Sequence, residues 1–397
     1  MFQTVANRAN SNAEKYQLRE KLFGTNDVLP MWVADMDINT PQYVLDALQE
    51  RMKHKVFGYE MMPESAYAAQ IEWVKQRNKY SIEREWMFYS PSVVATINMA
   101  IKAFSDIGDE VIIQPPVYAP FQSSIINNDR VVIKNPLQCD ENGDYGFDLE
   151  DLKSKITCKT KLLILCSPHN PVGRVWSRSE LKTLSEICLE HNIKIISDEI
   201  HCDLIYAPNV HTPLASLSDA VSDITITMMG PGKTFNLAGL SISTVVVANT
   251  NMRERFKAVY KSIHFAEGTV FGHIAFESAY RHGKTWLNDL LLHLSINQRK
   301  LEEVLKKHDN LITCKFPQGT YLAWLKCDKM GLTNKQLRHF FTKKARLGLS
   351  PGLGFGKEGD GYMRLNFAVS AETIDEAVRR LESALNNFNV RCMSDKN

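Results

Sequence analysis

Ile224-Thr225-Ile226-Thr227-Met228-Met229-Gly230-Pro231-Gly232-Lys233-Thr234-Phe235-Asn236-Leu237-Ala238-Gly239-Leu240 joins an apolar, β-like run to a glycine-bracketed turn. Small residues flanking Lys233 let a bulky group approach the backbone closely. A lysine amine in that place serves either as a point charge on a phosphate or as the partner of a carbonyl in a Schiff base. Working outward, residues 110–114, 130–134, 161–166, 193–197 and 243–248 share the apolar character of 224–229. Several are nearly continuous in Val, Ile and Leu, as buried strands of a mostly parallel sheet are. Helical patterns fit between them. Ser177-Arg178-Ser179-Glu180 is a capping box opening a helix that runs to about residue 191. Ser90 or Ser92 caps another, which carries Val93, Val94, Ile97, Ala100, Ile101 and Phe104. The alternation predicts an α/β fold.

The pattern changes after about residue 284. Leu287, Leu290, Leu291, Leu294, Leu301, Val304 and Leu305 form a long helical stripe, followed by strand candidates at 319–325 and 362–369. A last helix is built on Ile374, Ala377, Leu381 and Leu385. The expected division is a large α/β domain over 48–284 and a smaller α+β domain formed by 1–47 and 285–397. The first forty or so residues lack clear periodicity and read as an arm plus loop. The glycine-rich stretch 348–361 lacks the strand–GxGxxG–helix setting of a dinucleotide site, which disfavours a nicotinamide enzyme.

Composition narrows the function classes. The chain has 397 residues, 44% hydrophobic and 23% charged, which is globular and long enough for two domains. A net charge of +2 without a long basic run calls for neither nucleic acid nor an anionic membrane. The opening Met1-Phe2-Gln3-Thr4-Val5-Ala6-Asn7 has no apolar segment of the signal-peptide kind, and no apolar stretch is long enough to span a bilayer. The eight cysteines form no C-x-x-C pair and suit neither a zinc site nor a small disulfide framework. Reduced thiols in a cytoplasmic protein are expected.

Four further features recur in order around the strands. Ser90-Pro91-Ser92-Val93-Val94 opens a helix, where free N–H groups and the positive helix end suit a phosphate. Pro115-Pro116-Val117-Tyr118-Ala119-Pro120-Phe121 follows a strand, and its prolines stiffen a loop that holds Tyr118 as a flat platform. Ser167-Pro168-His169-Asn170-Pro171-Val172-Gly173-Arg174 sets an Asn amide between prolines, suited to donate to a ring oxygen. Ser197-Asp198-Glu199-Ile200-His201 puts a carboxylate at the end of a buried strand, where α/β sheets bind ligands. Alone, each reads equally as a turn, a cap or a packed aromatic. With Lys233 they describe a phosphate, a flat ring with an oxygen and a basic nitrogen, and an aldehyde. That is pyridoxal 5′-phosphate. No second ligand stands at a metal-like spacing from His201, so no metal site is expected.

Order and spacing resemble the fold type I pyridoxal-phosphate enzymes, the class I/II aminotransferase-like family, over nearly the whole chain. The branch most resembled is that of the cystathionine β-lyases and cysteine-S-conjugate (C–S) lyases. The residues that carry the resemblance include Trp32-Val33-Ala34-Asp35-Met36-Asp37, Gly58-Tyr59, the Tyr118, Asn170 and Asp198 motifs, Lys233 to Leu240, and Tyr362-Met363-Arg364-Leu365-Asn366. The resemblance implies that Lys233 binds the cofactor aldehyde and shuttles protons, Asp198 pairs with the pyridine nitrogen, Asn170 bonds the ring oxygen and Tyr118 stacks on the ring. It implies Val93 and Val94 N–H groups on the phosphate, Arg364 on the carboxylate of an amino-acid substrate, and Trp32 in the substrate pocket. It further implies that Tyr59 reaches the phosphate of a second copy, in a homodimer with shared sites. Two departures stand out. Many aminotransferases carry Ser three residues before the lysine and Arg eight after it, where this chain has Gly230 and Ser241. Three residues after the aspartate, a frequent Tyr is replaced by His201, as in the lyase branch. Both favour β-elimination over transamination.

Overall fold

The computed structural model describes residues 2–8, 11–264 and 268–388. Its largest sheet has seven strands in the order Met87–Ser90, Ser243–Val246, Thr225–Met229, Lys194–Asp198, Thr160–Cys166, Glu110–Ile113 and Val131–Lys134. Only Ser243–Val246 runs against its neighbours. The central strands bury nearly every residue because helices cover both faces. One layer of the core packs Ile97, Ile101, Val111, Ile164 and Ile196 together. The opposite layer packs Leu163, Leu165, Trp176, Leu181 and Leu184.

The predicted strands are present, with ends shifted by a residue or two. The capping box forms as read: Ser177 and Glu180 cap each other's backbone groups at the start of Arg178–Glu190. Ser92, not Ser90, caps Val93–Phe104, accepting from the Ala95 N–H at 3.2 Å. The strand Met87–Ser90 was not anticipated. Its four residues, Met-Phe-Tyr-Ser, are too few to show alternation, and pairing with Ser243–Val246 makes it a strand.

Beyond Lys284–Lys307, Leu322–Lys326 and Tyr362–Asn366 pair antiparallel, with Ser350–Pro351 on the far side. Both main strands are shorter than the sequence suggested. Thr320 stands at φ 71° and its N–H bonds the Leu204 carbonyl, so the sheet starts later. At the other end the Asn366 amide oxygen accepts from Ala368 N–H and turns the chain out of the sheet. Ala371–Asn386 then packs on Lys284–Lys307. The N-terminal arm is more ordered than its sequence suggests. It forms the short helices Glu14–Gln17 and Arg19–Phe23, and pairs Leu29–Pro30 in parallel with Leu347–Gly348. Elements of four or five residues complete too few turns to leave a periodic signature.

Seven cysteines, from Cys139 to Cys327, are free thiols, and Cys392 lies outside the described residues. Among the described residues no helix is long and apolar enough to cross a membrane.

Candidate active site

At the carboxyl edge of the large sheet, Ser90, Cys166, Asp198 and the turns after Ile113 and Met229 converge. That edge is where open α/β sheets bind ligands. A cavity of about 510 Å³ lies there, lined by Trp32, Val93, Val94, Tyr118, Asn170, Asp198, His201, Lys233 and Arg364. Nine of the ten residues singled out from sequence therefore meet in one place. Tyr59 is the exception. It is fully exposed, beside Phe57, Met61 and Phe271 on a different part of the surface.

The strand Thr225–Met229 delivers Lys233 on the short helix Pro231–Thr234. Behind it, Thr234 donates to Asp203 at 3.0 Å, and Asp203 also holds Trp73 and Arg77. The Lys233 Nζ donates to the Ala34 carbonyl at 2.6 Å, and Tyr321 donates to the same oxygen at 2.8 Å. Desolvation, and then the Arg364 charge, bring the Lys233 ammonium down to about 8. In the coenzyme-free protein its reactive neutral fraction should rise from about a tenth near pH 7 to about nine-tenths near pH 9. The rate of condensation with added pyridoxal phosphate, followed by stopped-flow absorbance, should rise over that interval and then level. A rate still climbing at pH 10 would show an unshifted amine.

Two charges in the cavity lack an opposite partner. Asp198 is buried and accepts one hydrogen bond, from Ile200 N–H at 3.1 Å. Burial pushes its carboxyl up to about 7. Arg364 is buried too, and desolvation brings its guanidinium down to about 10. It donates to Asn170 Oδ1 at 2.9 Å and to the Trp32 carbonyl at 2.8 Å, while its Nε has no partner. Its guanidinium also lies 4.7 Å over the Phe355 ring. Neither group forms an ion pair among the described residues, and unpaired buried charges are expensive unless a ligand completes them. His201 is buried with Nδ1 unbonded. Desolvation, with Lys233 and Arg364 nearby, keeps it neutral well below its ordinary range.

These observations fit pyridoxal phosphate. An amine of lowered basicity suits the aldehyde, and an unpaired buried carboxylate suits a protonated ring nitrogen. The Val93 and Val94 N–H groups, at the start of a twelve-residue helix, suit the phosphate. The Gly230 departure also has a steric reason. A Cβ at 230 would come within 2.9 Å of the Ser243 Cβ, so the neighbouring strand occupies the room a Ser side chain would need. Ser243 itself lines the cavity, with its hydroxyl donating to the Ser90 carbonyl at 3.0 Å.

Sequence reasoning missed the residues that hold the segment 32–38 in place. Asn236 donates to the Met36 and Ile38 carbonyls, Asn366 to those of Val33 and Asp35, and Ser350 to that of Trp32. Asn236 and Asn366 both stand inside motifs already singled out, three residues after Lys233 and two after Arg364. That spacing was the available signal.

A family model, aminotransferase class I and II, matches residues 26–381. Cystathionine β-lyase PatB of Bacillus subtilis strain 168 is 38% identical over 97% of this chain and 99% of its own length. The crystal structure of cystalysin from Treponema denticola, which contains a pyridoxal 5′-phosphate cofactor, superposes with a TM-score of 0.94 at 32% identity, over 98% of this chain and 99% of that one. The pyridoxal-phosphate-bound C–S lyase of Staphylococcus hominis gives 0.89 at 31% identity, with the same coverage of both chains.

Proposed function

Because this chain belongs to the class I and II aminotransferase family, we propose that it is a pyridoxal-phosphate-dependent carbon–sulfur β-lyase. It cleaves cystathionine or other cysteine S-conjugates to a thiol, pyruvate and ammonia. The observation that carries this reading is the cavity with an amine at its wall, an unpaired buried anion and an unpaired buried cation. The similarity to cystathionine β-lyase and C–S lyase chains over their full length supports elimination in particular.

When bound, the cofactor supplies an electron-withdrawing ring that stabilises negative charge at the substrate Cα. Each residue has a task around that chemistry. Lys233 holds the cofactor aldehyde at rest. Freed from it, its neutral amine would take the Cα proton, and the resulting ammonium could return a proton to the departing sulfur. Asp198 keeps the ring nitrogen protonated. Asn170 has its Oδ1 engaged by Arg364, which leaves its amide N–H groups free to donate to the ring oxygen. Tyr118 would stack on the ring, the Val93 and Val94 N–H groups would hold the phosphate, and His201 would stay a neutral neighbour. Arg364 grips the substrate carboxylate beside Trp32. Tyr59, with exposed Val56, Phe57 and Met61 around it, serves the phosphate of a second copy in a cytoplasmic homodimer. The working division remains a large domain over 48–284 and a small one from 1–47 and 285–397.

A panel of cystathionine and S-alkyl cysteines, scored for pyruvate against keto-acid-dependent amino transfer, tests the proposal. Rapid amino transfer without pyruvate would make the protein an aminotransferase. Retained binding with neither product would leave only a regulatory role. Arg364→Lys keeps the charge and loses the fork. It should raise KM by about tenfold or more, with cofactor absorbance intact. An unchanged KM removes Arg364 from the carboxylate site.

A further inference from the structure

Besides the Tyr118 phenol and the Cys166 thiol, which burial keeps protonated, the cavity is lined by five ionisable side chains: Glu14, Asp198, His201, Lys233 and Arg364. The proposed reaction uses Asp198 and Lys233 for the cofactor and Arg364 for the substrate α-carboxylate, and burial keeps His201 neutral. Glu14 has no task. It is exposed, opens the short helix Glu14–Gln17, and its carboxylate forms no ion pair among the described residues.

Glu14 is nonetheless firmly mounted. The next residue, Lys15, has no exposed surface. Its ammonium lies 3.0 Å from Asp35 Oδ1 and 3.2 Å from Asp37 Oδ2, and it donates to the Asp35 carbonyl at 3.2 Å. Arg8 closes on the same two carboxylates at 2.9 and 2.7 Å. The Lys15 carbonyl accepts the Trp32 indole N–H at 3.0 Å. The arm is thus fixed to the segment whose carbonyls hold Lys233 and Arg364, so the separation between Glu14 and the reacting atoms is set by buried contacts. Two cations against two carboxylates make this cluster neutral within itself. Nothing in it balances Glu14. Across the cavity, desolvation and then Asp198 push the Tyr118 phenol up, and the Glu14 charge adds to that shift.

We propose that Glu14 is a specificity residue that pairs with a cationic group on the sulfur substituent, so that the preferred substrates are cysteine thioethers bearing an ammonium beyond the scissile bond. The assignment rests on the lyase reading. With the α-carboxylate on Arg364 and the Cα at Lys233, the substituent is left to the remaining lining residues, exposed Glu14 among them. There an amino-bearing thiol meets the one lining charge not already engaged, and an acidic substituent meets repulsion.

Three substrates of similar length separate charge from size: S-(2-aminoethyl)-L-cysteine, S-propyl-L-cysteine and S-(carboxymethyl)-L-cysteine. The holoenzyme should turn them over in that order of kcat/KM. The readout is the ratio between substrates, since a structural defect lowers all three together. Glu14→Gln should cut the cation-to-anion ratio by about tenfold, and Glu14→Lys should invert it. Added salt should narrow the wild-type ratio. A ratio unchanged by Glu14→Gln overturns the proposal. If no compound, the neutral one included, yields pyruvate, the lyase reading itself fails. The same ratio, measured as dissociation constants from the cofactor absorbance, still decides the role of Glu14.

Discussion

Lys233→Ala should lower pyruvate release by at least about 10⁴-fold, while the protein stays folded. The size of the loss follows from the two tasks that meet on one nitrogen. The amine anchors the cofactor between turnovers and accepts the Cα proton within each one, so no neighbour can replace it. His201 also lines the cavity, but burial and two nearby cations make its imidazole a far weaker base, and it cannot form the covalent link. Folding should survive because the removed group is a desolvated ammonium with one hydrogen bond, to the Ala34 carbonyl, which keeps its bond from Tyr321. Borohydride reduction of the wild-type holoenzyme should leave a stable cofactor adduct on the peptide carrying Lys233. The variant should give none. Pyruvate formation within tenfold of wild type would remove Lys233 from the chemistry. Substrate binding retained without turnover is the pattern the proposal requires.

The parts of this site legible in sequence are those held by local structure. Asp198 ends a strand, and Tyr118, Asn170 and Lys233 each follow one by a few residues. A strand-by-strand reading therefore brings them to one edge of the sheet without any knowledge of distant contacts. The Ser177–Glu180 capping box is likewise complete within four residues. What sequence could not show is the clamp on residues 32–38. Asn236 and Met36 are 200 positions apart, Asn366 and Val33 are 333 apart, and Arg364 and Trp32 are 332 apart. No periodicity reports such pairings. Lys15 is a sharper case. A lysine in a polar arm reads as solvated, and only the meeting of Asp35, Asp37 and Arg8 makes its burial tolerable. Tyr59 was legible as a motif, but within one chain it faces open surface, so the role proposed for it requires a second copy.

Asp198→Asn should lower kcat by about 10³-fold and at the same time stabilise the coenzyme-free protein at alkaline pH. The catalytic loss comes from charge. Only an anion keeps the ring nitrogen protonated, and an amide of the same shape cannot. The gain in stability comes from the same burial. In the folded protein the Asp198 carboxyl is pushed up to about 7 from an ordinary value of 3.8, chiefly by desolvation. A raised carboxyl favours the folded state while it is protonated. That advantage is complete below the unfolded value and is lost as pH rises through the folded one. Between about pH 4 and pH 7 the coenzyme-free wild type should therefore lose a few kcal/mol that the variant keeps. Urea midpoints of the two coenzyme-free proteins should differ little at pH 4 and diverge by pH 8, with Asp198→Asn the more resistant. Cofactor loading should close or reverse that gap, because only the wild type then gains an ion pair in a water-poor site. A variant no more stable than wild type at pH 8 would mean that the carboxylate already has a counter-charge within the chain, and the argument that the cavity awaits a cationic ring would fall with it.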